Sequence, residues 1–198
     1  MAFLHEPPPV RREILLSDLA VLSDAEAEMA AEDGALEGNQ AYADLRALSV
    51  TELAQVLARE DALLIEMEAA GASGAAEVEA RFADLRGLSF EPADELWGLD
   101  VGVAGVVVAL SVMGACPVAS CNGGAFGPGH QSQYAYVAFY LCDAALTDIL
   151  CRAERTNCGL IAIDGLGHLY GPIEALIAFG RAGQTRCVAS KASRETRT

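Results

Sequence analysis

The sequence predicts an α+β fold, with a helical N-terminal half packed on a small C-terminal domain of order α-β-β-α-β-β-α. Three observations carry this reading. Between residues 14 and 87, apolar residues recur at helical spacing behind serine–glutamate capping signals. From residue 100 onward, short runs rich in branched and aromatic residues alternate with helical stretches and glycine turns. The charge divides at the same place. Residues 1–99 hold 21 Asp and Glu against 6 Lys and Arg, while residues 100–198 hold 7 of each, so the whole net charge of −15 falls in the first half. Strand direction is not encoded in such runs, and an α/β arrangement of the same elements stays open.

Residues 1–13 read as an extended arm, because Pro7, Pro8 and Pro9 fix φ and withhold backbone donors. Residues 14–87 form the acidic helical region. Ser23 with Glu26 and Ser49 with Glu52 have the capping-box spacing, in which each side chain satisfies a backbone donor that a helix start leaves orphaned. The second box opens the clearest helix, whose stripe is Leu53, Val56, Leu57, Leu63, Leu64 and Met67. Gly71 and Gly74 end it, and a further helix over 75–85 places Val78, Phe82 and Leu85 on one face, giving a small antiparallel helical array. Residues 88–99, with Pro92 and Trp97, read as a linker between the halves.

The α/β domain spans 100–183. Asp100 stands where it would cap a helix from Val101 to about Met113, whose valines and glycines are poor helix formers and make it dependent on burial. Val101–Ala119 is uncharged over 19 residues, but Pro117 interrupts it and no Lys or Arg lies between Arg86 and Arg152, so a buried helix is expected rather than a membrane span. Strands follow at Pro117–Ser120 and Tyr134–Leu141, then a helix over 144–156 capped by Asp143, and a strand at Gly159–Ile163. Asp164-Gly165-Leu166-Gly167 reads as a hairpin turn leading into a strand over His168–Gly171, and Pro172 opens the last helix. Residues 184–198 read as a flexible basic tail.

The candidate site lies at the end of the first strand. Ser120-Cys121-Asn122-Gly123-Gly124 runs into a loop containing Gly127 and closed by His130. Glycines there permit positive φ and close approach of a ligand, so Ser120, Asn122, Gly123, Gly124 and Gly127 are the candidate ligand-binding residues. Cys121 is the candidate nucleophile, with His130 or His168 to lower its pKa and Asp164 or Asp143 to orient the imidazole. The loop lacks the Lys-Ser/Thr of a phosphate loop and does not open a helix as a dinucleotide fingerprint does, so no cofactor is named. The six cysteines match no common zinc spacing, and no metal site is expected.

The run of helix, strand ending in Ser120-Cys121-Asn122-Gly123, loop, and aromatic strand Tyr134-Ala135-Tyr136-Val137-Ala138-Phe139 resembles the small domain of the S-adenosylmethionine-dependent methyltransferases of tRNA wybutosine synthesis, over residues 100–183 at most. That resemblance implies an S-adenosylmethionine-dependent transferase. In the family the residue after the glycine tends to be basic, and here it is Gly124.

Composition weighs on partners. A face as acidic as the first half repels phosphate backbones, so nucleic acid is an unlikely partner and a protein partner or self-association is expected. The start Met-Ala-Phe-Leu-His-Glu has no basic n-region followed by an apolar run, which points to the cytoplasm and mostly to thiols rather than disulfides. The leading expectation is an accessory or regulatory protein that docks a partner through its acidic helices, around Glu26, Glu28, Glu32 and Asp33, and binds a small ligand at the 120–130 loop. The alternative is an enzyme centred on Cys121, cysteine-dependent or S-adenosylmethionine-dependent.

Overall fold

The computed structural model describes residues 9–23, 45, 46, 48–85, 96–127, 132, 134–141 and 146–182. Within them lie four α-helices, α1 (Val50–Leu85), α2 (Ala104–Val112), α3 (Leu146–Arg155) and α4 (Ile173–Arg181), and four strands, β1 (Ala115–Cys121), β2 (Ala135–Leu141), β3 (Gly159–Ile163) and β4 (Leu166–Gly171). The C-terminal order is α-β-β-α-β-β-α. All strand pairs are antiparallel, in the order β1-β2-β4-β3, which makes the class α+β.

Helix α1 begins with the capping box read from the sequence: the Ser49 backbone N–H donates to Glu52 Oε2 at 2.6 Å, and the Glu52 N–H donates to Ser49 Oγ at 3.3 Å. The Ser49 backbone N–H and, at 2.8 Å, the Ser49 hydroxyl both donate to Glu52 Oε2 and hold its carboxyl below its usual range. Gly71 breaks the helix with φ 71° and ψ 178°, a conformation open essentially to glycine alone. The chain doubles back there, because Arg81 pairs with Glu66 and the Arg59 guanidinium lies 6.0 Å from the Phe82 ring centre. An unbroken helix would hold residues 66 and 81 about 22 Å apart. Helix α1 is therefore an antiparallel hairpin.

Helix α2 is buried from Ala104 to Ser111 and packs against α1, α4 and β1. Its three consecutive valines cost about 0.5 kcal/mol each in helix propensity, against about 1.5–3 kcal/mol contributed by burying each one, so burial wins. It begins at Ala104 rather than Val101, and the carbonyl of Asp100 accepts from Val103 and Ala104. A carboxylate from α1 reaches this helix start: Glu60, 2% exposed, accepts from Gly102 N–H at 2.8 Å. Burial pushes the Glu60 carboxyl up to about 7, opposed by hydrogen bonds from Gly102, Gly105 and Ala104 and by the Arg181 charge.

One core joins the hairpin, α2, α3, α4 and a single face of the sheet, from Val56 and Phe82 through Val107 to Phe139 and Leu169. Helices thus cover one face. The other face carries a smaller cluster of Cys116, Val118, Ala138 and Leu166, with Leu22, Tyr136 and Tyr140 beside it. Residues 11–20 run along the β3 edge, and Val21 and Leu22 continue to Leu141 at the end of β2. Arg11 O accepts from Leu160 N–H at 2.7 Å, Arg12 Nε donates to Cys158 O at 2.9 Å, and past the one-turn helix Leu16–Asp18 the Ala20 N–H reaches Gly165 O at 2.7 Å. This pairing satisfies backbone groups that an edge strand otherwise presents to other chains.

The hairpin turn predicted over 164–167 is shorter in the structure: Leu166 and Gly167 already pair with β3, and Asp164 and Gly165 alone form a two-residue turn, with φ of 51° and 84° as a type I′ turn requires. The turn following Leu96 places Leu96 and Leu99 in the core, while residues 88–95 of the predicted linker fall outside the described residues. Also outside them are residues 1–8 of the arm, the box residue Glu26, and the tail 184–198. Among the described residues no helix is long and apolar enough to cross a membrane. Cys116, Cys121 and Cys158 are thiols, whereas Cys151 is disulfide-bonded.

Candidate functional site

The end of β1 divides the candidate motif between the two faces of the sheet. Ser120 pairs with Val137, whose side chain belongs to the helix-covered core, and Cys121 pairs with Tyr136 on the other face. Asn122, 1% exposed, turns back towards the helices. Its Nδ2 donates to Glu79 Oε1 at 2.6 Å and to Val101 O at 3.2 Å, and its Oδ1 accepts from Gly124 N–H at 3.0 Å. The amide nitrogen thereby holds the loop to α1 and to the turn before α2, while Oδ1 closes the loop on itself.

Gly123 has φ 69°, and a Cβ there would stand 2.4 Å from the Tyr134 carbonyl carbon. Both the backbone conformation and the close approach of β2 demand glycine. Its N–H donates to Cys121 Sγ at 3.3 Å. Gly124 has φ 72°, and Gly127 packs against Ala76 and Glu79 of the hairpin. The loop is thus seated on α1.

Cys121 and His168 lie on the same face but do not meet. β2 stands between β1 and β4, and His168 is staggered two residues along from the Cys121–Tyr136 pair, so two strand spacings, about 10 Å, separate them laterally with a further offset along the strands. Tyr136 fills the interval, paired with Cys121 and stacked on the His168 ring at 6.0 Å between centres and 22° between planes. Burial pushes the His168 imidazole down to about 4, with Asp164 opposing weakly, so the ring is neutral at physiological pH. Burial, with lesser contributions from Cys121 and Tyr134, raises the Tyr136 phenol. Asp164 is in the β3–β4 turn, and His130 and Asp143 fall outside the described residues. Among the described residues no three His, Cys, Asp or Glu side chains gather to hold a metal.

A cavity of about 440 Å³ opens where β1 ends, β2 begins, β4 ends and α4 begins. Asn122, Gly123 and Ala125 of the loop form one wall, and Tyr134 and Ala135 a second. Tyr170, Gly171, Pro172 and Ile173 form a third, and Pro9 and Val10 of the arm close it. The Tyr170 hydroxyl holds that arm in place, donating to Pro9 O at 2.8 Å and accepting from Arg11 N–H at 3.1 Å. Tyr134 meets Tyr170 edge-on, with 6.2 Å between ring centres and 77° between planes. The volume lies at the lower end of the range for small-molecule sites.

Of the ligand-binding candidates, Asn122 and Gly123 line this cavity, while Ser120, Gly124 and Gly127 do not. Tyr170, the arm and Ile173 are not among the site residues the sequence predicts, because only the sheet order brings residues 9, 123, 134 and 170 to one place. The aromatic alternation at Tyr134 and Tyr136 was the one available signal. Glu79 and Glu60 gave none, since a buried helical glutamate has the same local pattern as a solvated one. No known protein family, curated protein or solved structure matches the chain.

Proposed function

We propose that this protein is an accessory or regulatory protein that binds a small molecule in the cavity at the end of the sheet and docks a protein partner through its acidic helical region. The observation that carries the reading is the cavity itself: a concave, mainly apolar space of about 440 Å³ walled by four separate segments. Its walls are secured independently of any ligand. Asn122 is latched to Glu79 and Val101, Gly123 is fixed against β2, and Tyr170 clamps the arm. A site built this way requires little reorganisation on binding, and so more of the contact energy appears as affinity.

The concentration of negative charge in residues 1–99 supports docking to a basic surface. A nucleophile reading is less well supported, because among the described residues Cys121 pairs with Tyr136 and the His168 imidazole lies beyond that ring. The test is an amide-resolved NMR titration with a library of small molecules that includes S-adenosylmethionine. Compounds are expected to shift the Gly123, Ala135 and Gly171 amides of the wild type and to leave an Ala125→Trp variant, whose new side chain fills the exposed mouth, unperturbed. Undisturbed cavity amides across the library, or equal binding by the filled variant, would refute the reading.

A further inference from the structure

The chemistry of the walls narrows the ligand, on the premise that the cavity is a binding site. Among the described residues no Asp, Glu, Lys, Arg or His lines it. An ion entering would lose its hydration without gaining a counter-charge, a cost that a cavity of prolines, alanines, isoleucine and tyrosines does not offset. Anions face a further barrier. Glu79 stands behind the loop wall, Glu174 follows Ile173 in the first turn of α4, and the chain carries a net charge of −15. Cations fare little better, because an aromatic cage needs several ring faces turned to one point, and here Tyr134 and Tyr170 meet edge to face with each other.

The polar groups in the walls are mostly spent. Tyr170 holds the arm, and Asn122 holds the loop. The Tyr134 hydroxyl, by contrast, makes no hydrogen bond among the described residues. Burial and the neighbouring Tyr170 raise its pKa, which keeps it protonated at neutral pH and able to donate or accept. Rings also accumulate towards the cavity. Tyr136 tilts at 51° against Tyr134 across 6.0 Å, and Tyr134 meets Tyr170 edge-on, a tilted series that one more ring would continue.

We infer that the cavity takes an uncharged one- or two-ring aromatic molecule bearing a single polar group, held by the Tyr134 hydroxyl and packed in continuation of the Tyr136–Tyr134–Tyr170 ring series. The class excludes free nucleotides, amino acids and S-adenosylmethionine, all of which carry charge.

Indole, phenol, toluene, cyclohexanol, indole-3-acetate, tryptamine and tetramethylammonium, titrated separately into the full chain and followed at the cavity amides, test this assignment. Indole and phenol should bind, with phenol about three- to tenfold tighter than cyclohexanol. The acetate, the amine and the quaternary ammonium should fail at the same concentrations. Tyr134→Phe should weaken indole by about three- to tenfold and leave toluene unchanged, a split that a merely structural role for Tyr134 would not produce. Charged analogues binding as tightly as indole, cyclohexanol matching phenol, or a Tyr134→Phe effect equal for indole and toluene would overturn the ligand class while leaving the cavity a binding site. If none of the seven compounds, nor any library compound, shifts the cavity amides, the class and the binding reading fall together.

Discussion

The two faces of the sheet are held by different means. On the helix-covered face, Phe139, Val137, Leu160 and Leu169 are fully buried in a core that continues through α2 into the α1 hairpin. On the opposite face the cluster is small, Tyr136, Tyr140 and His168 are only half-buried, and Tyr170 is buried where the arm crosses it. The first face is closed by apolar packing, where volume decides stability. The second is ordered by ring contacts and by the hydrogen bonds of Tyr170 to the arm, which are directional and individually modest. A motif contiguous in sequence is consequently divided, Cys121 going to one face and Asn122 to the other.

The largest expected break in the comparison is Phe139→Ala. Phe139 is fully buried, and its ring lies over Gly167, so truncation should cost about 3–5 kcal/mol in urea unfolding. A loss below about 1 kcal/mol would mean that the helix-covered face is not the closed core described here.

Next in size are two opposite responses to pH. Glu60, in the helical layers, binds its proton more tightly folded than unfolded, so its contribution to stability is full below pH 4.5 and is lost as pH rises to about 7. His168, on the opposite face, binds its proton less tightly folded, so its contribution is full above pH 6.5 and is lost as pH falls to about 4. Relative to wild type, Glu60→Gln should therefore gain stability with rising pH between 4.5 and 7. His168→Phe should gain with falling pH between 6.5 and 4. Unfolding midpoints across that range check both signs, and parallel trends would contradict the difference between the two environments.

Tyr170→Phe is the smallest perturbation. It removes both hydrogen bonds to the arm and keeps the ring over Gly159, at an expected cost of about 1 kcal/mol. Hydrogen exchange should quicken at Arg11 and Leu160, whose amides belong to the arm and its pairing, while the α2 amides stay protected. Faster exchange in α2 as well would show that the arm and the core form one cooperative unit.

Much of the local structure was legible in the sequence because its causes are local. The Ser49–Glu52 box, the Asp164-Gly165 turn and the glycines at 71 and 123 each answer a backbone requirement within a few residues or at one φ angle. Hydrophobic periodicity likewise marked the buried stripe of Val56, Leu63 and Met67. The candidate site was legible in part. Asn122 and Gly123 do line the cavity, but Cys121 and His168 share a face without touching.

By itself, then, the sequence determined the element order, the turns and the uneven charge, since each depends on neighbours along the chain. Tertiary structure alone decided three things: that Glu60 of α1 sends a carboxylate to the start of α2, that Tyr136 separates the Cys121 thiol from the His168 imidazole, and that an arm 113 residues before Asn122 helps to wall the same cavity. Each depends on strand order and register, and these are set by how the whole core closes rather than by any local pattern.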